Sequence, residues 1–371
     1  MSANDDLVDR AIAHQVELSK YSNSVVRRLI AILNRADSRM AAELSGVLET
    51  IGDVSTFRVE RLESMLASVR ALNAQAYSQI EQELRTELRE FTEYEANWQQ
   101  MTLREAIPPG VSVSFAGVSV EQVYAAALAR PFQGVLLKGA LDDLSEQSAK
   151  LVRQTISAGI VEGRTTQQII RDLRGTRAKG YADGLLQRGR RDVEAIVRTA
   201  ISHTAGVVQD NVMQANTDML QAVQWSSTID LRTSQICRIR DGKLYTPDTH
   251  KPIGHSLPWG GGPGRAHWRC RSAQVPVLRS WRAMGIDMDG SANLEGTRAS
   301  LDGQIPQDIT YAQWIKKQSA ARQDEVLGPS RGKLLREGRL PMEALYSQSG
   351  QFLTLQQLHE RHAGAFRKAG L

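Results

Sequence analysis

The stretch MLQAVQWSSTIDLRTSQIC, Met219–Cys237, is where the chain changes character. Its β-branched and aromatic mix predicts a strand that ends in a turn. From Asp241 to Ala266 there follow six glycines and four prolines in 26 residues. That density forbids a continuous helix and implies a long, shaped loop. RSAQVPVL, Arg271–Leu278, then resumes as a short strand. Together these segments predict a small β-rich element over Gln221–Leu278, docked on helices.

Everything before Met219 reads as helix. Leu7, Ala11, Val16, Val25, Leu29 and Ile32 recur near helical spacing, and Leu44, Val47, Leu48 and Ile51 suggest a shorter second element. Leu62, Met65, Val69, Leu72 and Ala76 alternate by three and four, and the pattern runs on through Leu84, Phe91 and Trp98. No proline or glycine interrupts Thr56–Ile107, so one helix or two stacked ones span it. The heptad register does not persist, which favours an intramolecular bundle seam over a self-associating coiled coil. IPPG, Ile107–Gly110, breaks the pattern. VSVSFAGVSV after it reads as a strand or an extended linker. Helices are expected over Val120–Ala129, Gly139–Glu162, Thr166–Leu173 and Gly184–Thr217, with Ser119 and Thr165 as N-caps.

Beyond the β element, Ile286–Asp308 reads as a poorly ordered surface linker. Thr310 and Gln313 form a capping box before one helix that Gly328 and Pro329 end. SRGKLLREG and LTLQQLHERHAGAFRKAG predict two further helices. The expected fold is mainly α (α+β), in three domains: 1–110, a long-helix bundle; 111–285, helices with the β element and loop; 286–371, linker and C-terminal helices.

The 371 residues are 41% hydrophobic and 23% charged, ordinary for a globular protein. Only 5% are aromatic, which leans toward helices. No apolar run approaches the ~20 residues that span a bilayer. The start, MSANDDLVDRAIAH, lacks the apolar core of a signal peptide, and two cysteines argue against a secreted disulfide scaffold, so synthesis in a cytoplasm is expected. Net charge is +5, yet Arg164–Arg191 alone carries eight basic residues against two acids. Arg164, Arg171, Arg174, Arg177, Lys179, Arg188, Arg190 and Arg191 would meet phosphate or an acidic protein surface, or would be a merely solvated helix face.

P-loop, dinucleotide, nucleophile-elbow and zincin motifs are absent. GGGPG, Gly260–Gly264, lacks a helix behind it, and Pro263 removes a donor, so it is a loop-shaping element and not a phosphate cradle. The two cysteines flank the loop, with His250, His255 and His267 between them. Three readings of Cys237, His267 and Cys270 stay open: a structural zinc site, with His250, His255 or Asp241 as fourth ligand; buried packing; or a disulfide closing the loop. Nothing completes an oxyanion hole or a catalytic triad, so no catalytic residue is assigned and a non-enzyme is expected. The alternative is a metal-dependent DNA-processing nuclease using Asp230, Asp241 and His267.

IVRTAISHTAG, QWSSTIDLRTSQICRIRDGKLY and GPGRAHWRCRS together resemble the phage minor head, or head morphogenesis, proteins of the Mu F type. The matching positions are Arg198 and Thr199; Trp225, Asp230, Arg232 and Thr233; Cys237; Asp241 and Gly242; and His267 and Cys270. The resemblance runs from about Gly159 to Leu340. Ser234 and Ser272 stand where some relatives carry further cysteines, which weakens a four-thiolate zinc reading. The resemblance implies a low-copy internal head component in the virion, assembled in the host bacterial cytoplasm. Implied partners are the portal protein, major capsid or scaffold proteins and packaged DNA, with a role in packaging or ejection and no membrane.

Overall fold

A computed structural model describes residues 3–49, 59–108, 111, 113–284 and 297–371. Among them the protein is mainly α, with a small antiparallel β element, as the sequence predicts. Two 47-residue helices open the chain, α1 (Ala3–Glu49) and α2 (Val59–Glu105). The separate element expected around Leu44–Leu48 is the last part of α1, and Ile51 lies outside the described residues. Asp37 explains the misreading. This polar residue points inward to an arginine, so it interrupts the apolar pattern without interrupting the helix.

Compactness divides the chain into two units, Met1–Leu18 with Thr92–Ala127 and Ser202–Leu371, and Ser19–Phe91 with Leu128–Ile201. Helices α1, α2 and α6 (Leu186–Ala215) each contribute residues to both.

The Ser19–Phe91/Leu128–Ile201 unit is built of helices and the turns between them, with no named strand among its described residues. Its core joins Met40, Leu44, Met65 and Val69 to Val152 and Ile156 of α4 (Leu137–Val161) and to Ile169 and Leu173 of α5 (Thr166–Arg174). Thr165 is the expected N-cap of α5, and with Gln168 it completes a capping box. Gly159 lets α5 approach, since a Cβ there would sit 2.6 Å from an Ile169 side-chain carbon. Arg190 is not on a solvated face. It lies 2.5 Å from Asp37 with both side chains nearly buried. Burial pushes the Asp37 carboxyl up to about 6 despite the opposing pull of Arg190.

In the other unit, residues 113–118 are extended and pair with no strand. Phe115 enters the core, and Asn216, in the turn just after α6, holds Ala116 by both its N–H (2.7 Å) and its C=O (3.1 Å). Helix α3 (Val120–Ala129) follows, as expected. The main sheet has the order β3-β2-β1-β4, with β1 (Leu220–Ser226) between β2 (Leu244–Tyr245) and β4 (Ala273–Leu278), and β3 (Pro252–Ile253) outermost. Pro276 is tolerated because β4 is an edge strand. The expected turn before Cys237 is a short helix, α7 (Gln235–Arg240), capped by the Ser234 hydroxyl.

The linker expected at Ile286–Asp308 is partly a hairpin. Residues 285–296 lie outside the described set, but β5 (Thr297–Ser300) pairs with β6 (Gly303–Pro306). Asp302 in its turn accepts hydrogen bonds from Trp314 (3.0 Å) and Gln318 (2.8 Å). The single helix expected after Thr310 is two, α8 (Tyr311–Lys316) and α9 (Ala320–Leu327). Ser319 caps the second, and the buried Gln323 amide donates to the carbonyls of Ile315, Lys316 and Gln318 where the first ends. Pro329 begins α10 (Pro329–Arg336) rather than only ending α9, and α11 (Leu355–Ala369) closes the chain behind a Thr354 capping box.

All six tryptophans lie in the Met1–Leu18/Thr92–Ala127/Ser202–Leu371 unit, so tryptophan fluorescence reads its unfolding alone. Asn216→Ala leaves two backbone groups of Ala116 unpaired. The fluorescence-detected stability should fall by about 1–3 kcal/mol in urea titration; an unchanged midpoint would contradict the assigned role.

Candidate functional site

The two halves of the sequence signature meet at the end of the sheet. Asp230 follows β1, and its carboxylate does three things at once. It accepts from the Arg232 N–H (3.0 Å) and the Thr233 hydroxyl (3.0 Å), and it takes a bidentate pair from Arg271 at 2.7 and 2.8 Å. The resulting turn places Ser234 as the cap of α7, and so aims Cys237 at the segment that carries Arg271. Burial works against the Asp230 charge, yet the Arg271 guanidinium and the Thr233 hydroxyl hold the carboxyl below the usual range.

Cys237 and Cys270 are free thiols, both buried, with sulfurs 3.6 Å apart. The Cys237 sulfur lies 3.4 Å from His267 Nε2, and Ser234 Oγ lies 2.8 Å from the same nitrogen. The other ring nitrogen, Nδ1, sits 2.9 Å from the Trp268 carbonyl and donates to it, which leaves Nε2 facing the sulfurs. The hydrogen bond from Cys237 and that with His267 draw Cys270 well below the ordinary thiol range, while the bond to Cys270 and burial push Cys237 well above it. His267 is raised by its hydrogen bond to Cys270, against its burial.

Among the described residues, Cys237, His267 and Cys270 are the one group whose donor atoms converge as metal ligands would. A tetrahedral zinc, with bonds of about 2.3 Å to sulfur and about 2.0 Å to nitrogen, separates two sulfurs by about 3.8 Å and sulfur from nitrogen by about 3.5 Å. The observed 3.6 and 3.4 Å fit those spacings. None of the expected fourth ligands is at hand. His255 Nε2 donates to the Leu244 carbonyl (2.9 Å), His250 stacks on Trp259 near Asp210, and Asp241 is engaged elsewhere. The nearest further donor is Ser234.

Asp241 is fully buried. Its oxygens accept from the Ser227 N–H (2.7 Å), the Tyr311 N–H (2.7 Å) and the Arg298 guanidinium (3.1 Å). Gly242 follows with φ +78°, a conformation that favours glycine. Asp230, Asp241 and His267 therefore do not form one metal-binding group. Trp225 is buried against Trp259 and Tyr245, with the Arg240 guanidinium 5.6 Å from its ring. In the helical unit, Arg198 bonds Glu194 and Asn23, and Thr199 bonds the Ala195 carbonyl. The arginines near the thiols are also spoken for. Arg238 and Arg240 donate to the carbonyls of Val326, Leu231, Pro258, Ile236 and Ser349.

The Gly/Pro-rich loop hides a network that pattern reading did not find. Arg265 lies buried along α6, 2.6 Å from Asp210, in space that Gly206 leaves open. A Cβ on Gly206 would sit 2.7 Å from Arg265 Nε. Gln274 of β4 also donates to Asp210 (3.2 Å). Burial opposes the Asp210 charge, but Arg265 and His250 hold the carboxyl down at about 2. A glycine within a helical run was the available signal, since it costs about 1 kcal/mol without a packing reason.

The basic segment lies entirely in the helical unit. Arg164 is paired to Glu162 and Asp172, Arg174 sits over the Tyr181 ring, Lys179 is near Asp183, and Arg190 is inside. Arg171, Arg177, Arg188 and Arg191 are exposed.

Asp230, Thr233, Asp241 and the Cys237, His267 and Cys270 group thus join segments of their own chain, while Arg232 contributes only its backbone N–H and Thr199 bonds within its own helix. Residues 150–275, about a third of the chain, match the family model described as Phage Mu protein F like protein. The chain carries a Mu F-like domain over those residues, and this relates it to phage heads. No curated protein and no solved structure matches it.

Two outcomes follow. Gly206→Ala should destabilise the tryptophan-reported unit by about 1–3 kcal/mol, because Arg265 is pinned and cannot yield; thermal melts check this. The Asp210 carboxyl is lower in the fold than in the unfolded chain, so its contribution is full above about pH 4. It is lost as pH falls toward 2, on the order of 2 kcal/mol. Asp210→Asn should flatten the stability profile in that window, and an equally steep profile would refute the assignment.

Proposed function

We propose that this protein is a non-enzymatic minor head component of a tailed phage, low in copy and internal. It associates with the portal during procapsid assembly and assists genome packaging or ejection. The observation that carries this reading is the fate of the signature residues. Asp230, Asp241, Trp225 and the arginines around them are consumed in internal hydrogen bonds and packing, with no reactive set left over. A rigid module of this kind suits docking. The long helices α1 and α2 supply extended surface toward the portal, capsid or scaffold proteins, and the exposed arginines of 164–191 face acidic protein or packaged DNA.

In this reading Cys237, His267 and Cys270 hold a structural zinc. It would add a cross-link between α7 and the segment before β4, two elements too small to hold each other by burial alone. Ser234 stands beside the site as a weaker oxygen donor, and His267 keeps Nε2 free because Nδ1 is bonded to Trp268.

Mass spectrometry of purified virions and procapsids tests the main claim. The chain should be found in both, at a small fraction of the major capsid protein, and its absence from both would end the proposal. The nuclease alternative predicts cleavage of linear DNA with Mg²⁺, Mn²⁺ or Zn²⁺, and the head-component reading predicts none. Simultaneous Cys237→Ser and Cys270→Ser should remove bound zinc, lower the melting temperature and reduce head incorporation together. Unchanged melting with normal incorporation would eliminate the clasp.

A further inference from the structure

We propose that a groove between α1 and α2 in the helical unit takes an acidic side chain, glutamate or aspartate, of a partner protein. Arg35 and Arg39 lie one turn apart on one rim, and Gln75 and Gln79 lie one turn apart on the other. The groove has a volume of about 230 Å³, and Ile32 and Ala76 are among the residues that line it. The inference rests on the reading of the long helices as a docking element, and it names the face and the chemistry.

Charge is unbalanced along the arginine rim of the groove. Two other arginines of α1 are matched, Arg10 to Asp6 and Glu105 and Arg28 to Glu87, while among the described residues the exposed Arg27 stands alone with no second cation one turn away. Arg35 and Arg39 are exposed, and neither has an ion-pair or hydrogen-bond partner among the described residues. Like charges one helical turn apart repel, so the pair carries a small standing cost. The nearby acids are committed. Asp37 is turned inward to Arg190, and Glu43 accepts from Ser68 (2.5 Å). No carboxylate lines the groove.

The larger groove between α2 and α4 provides the contrast. It mixes Arg70, Lys150 and Arg153 with Asp142 and Glu146, and its Lys138 is already paired to Asp142. That groove is self-neutralised and calls for no partner. The Arg35/Arg39 groove calls for an anion. The form of its walls favours a carboxylate on an aliphatic stem over a phosphodiester. Guanidinium forks bind a carboxylate bidentately, the glutamine amides add neutral donors, and the half-buried Ala36 and Leu72 offer apolar surface to methylene groups.

The test is fluorescence anisotropy with the full-length chain and a fluorescein-labelled oligoglutamate peptide at low salt. Two double variants change charge equally, Arg35→Gln with Arg39→Gln and, in the self-neutralised groove, Arg70→Gln with Arg153→Gln. All four positions are exposed, so circular dichroism and melting should match the parent. The first variant should lose about tenfold or more in affinity, and the second should stay within about twofold. Absence of binding by the parent, or equal losses in both variants, would overturn the groove. A duplex DNA that displaces the peptide and loses as much affinity in the first variant would assign the arginines to phosphate, and would also overturn it. This readout is independent of head incorporation. Failure here leaves the virion result standing, and absence from virions leaves the groove's chemistry intact.

Discussion

A buried carboxylate with no access to water must be neutralised by what surrounds it, and Asp241 imposes that condition on the sheet-containing unit. Its partners come from the end of β1, from β5 and from the start of α8. These segments are far apart in sequence, and none would be held there by propensity. Strand β5 is four residues long, and α8 is six. With Asp241 in place, Arg298 fixes the hairpin, Tyr311 fixes the C-terminal helices, and the Tyr311 hydroxyl returns to the Asp230 carbonyl at 2.8 Å. Asp230 then engages Arg271, which brings His267 and Cys270 to Cys237. The chain of dependence runs from a desolvated charge to the thiol cluster.

How much of this was legible depends on the kind of signal. Helices with uninterrupted three-and-four spacing were readable, and so were the N-cap at Thr165 and the capping box at Thr310, where two side chains at fixed spacing satisfy two backbone groups. The strand at Leu220–Ser226 and its partner at Ala273–Leu278 were readable from composition. What failed was polar burial. Arg298 sits in a run of glycine, serine and asparagine that looked like linker, because nothing in a local pattern says that one arginine will be desolvated. Asp37 and Arg190 escaped notice for the same reason, since Arg190 read only as one of a basic stripe and nothing local marks the two as a nearly buried pair.

The thiol site shows a related limit. Sequence placed Cys237, His267 and Cys270 in one neighbourhood, and the fold brings them together. It could not say that neither His250 nor His255 would be free to serve as a fourth ligand. His255 is claimed by the Leu244 carbonyl, and His250 by Trp259 and Asp210; both partners are defined only by tertiary packing. The motif is therefore best understood as a set of fold-holding contacts, in which polar residues were selected for what they join.

The central claim, that the signature residues act as structural links, is tested most directly by a double-mutant cycle on Asp241→Asn and Arg298→Gln, read by tryptophan fluorescence in urea. The account predicts a coupling energy of about 2–4 kcal/mol, with each single variant strongly destabilised and the double variant no worse than either. A coupling below about 0.5 kcal/mol would contradict it, because two residues that do not depend on each other cannot be the link on which the rest is built.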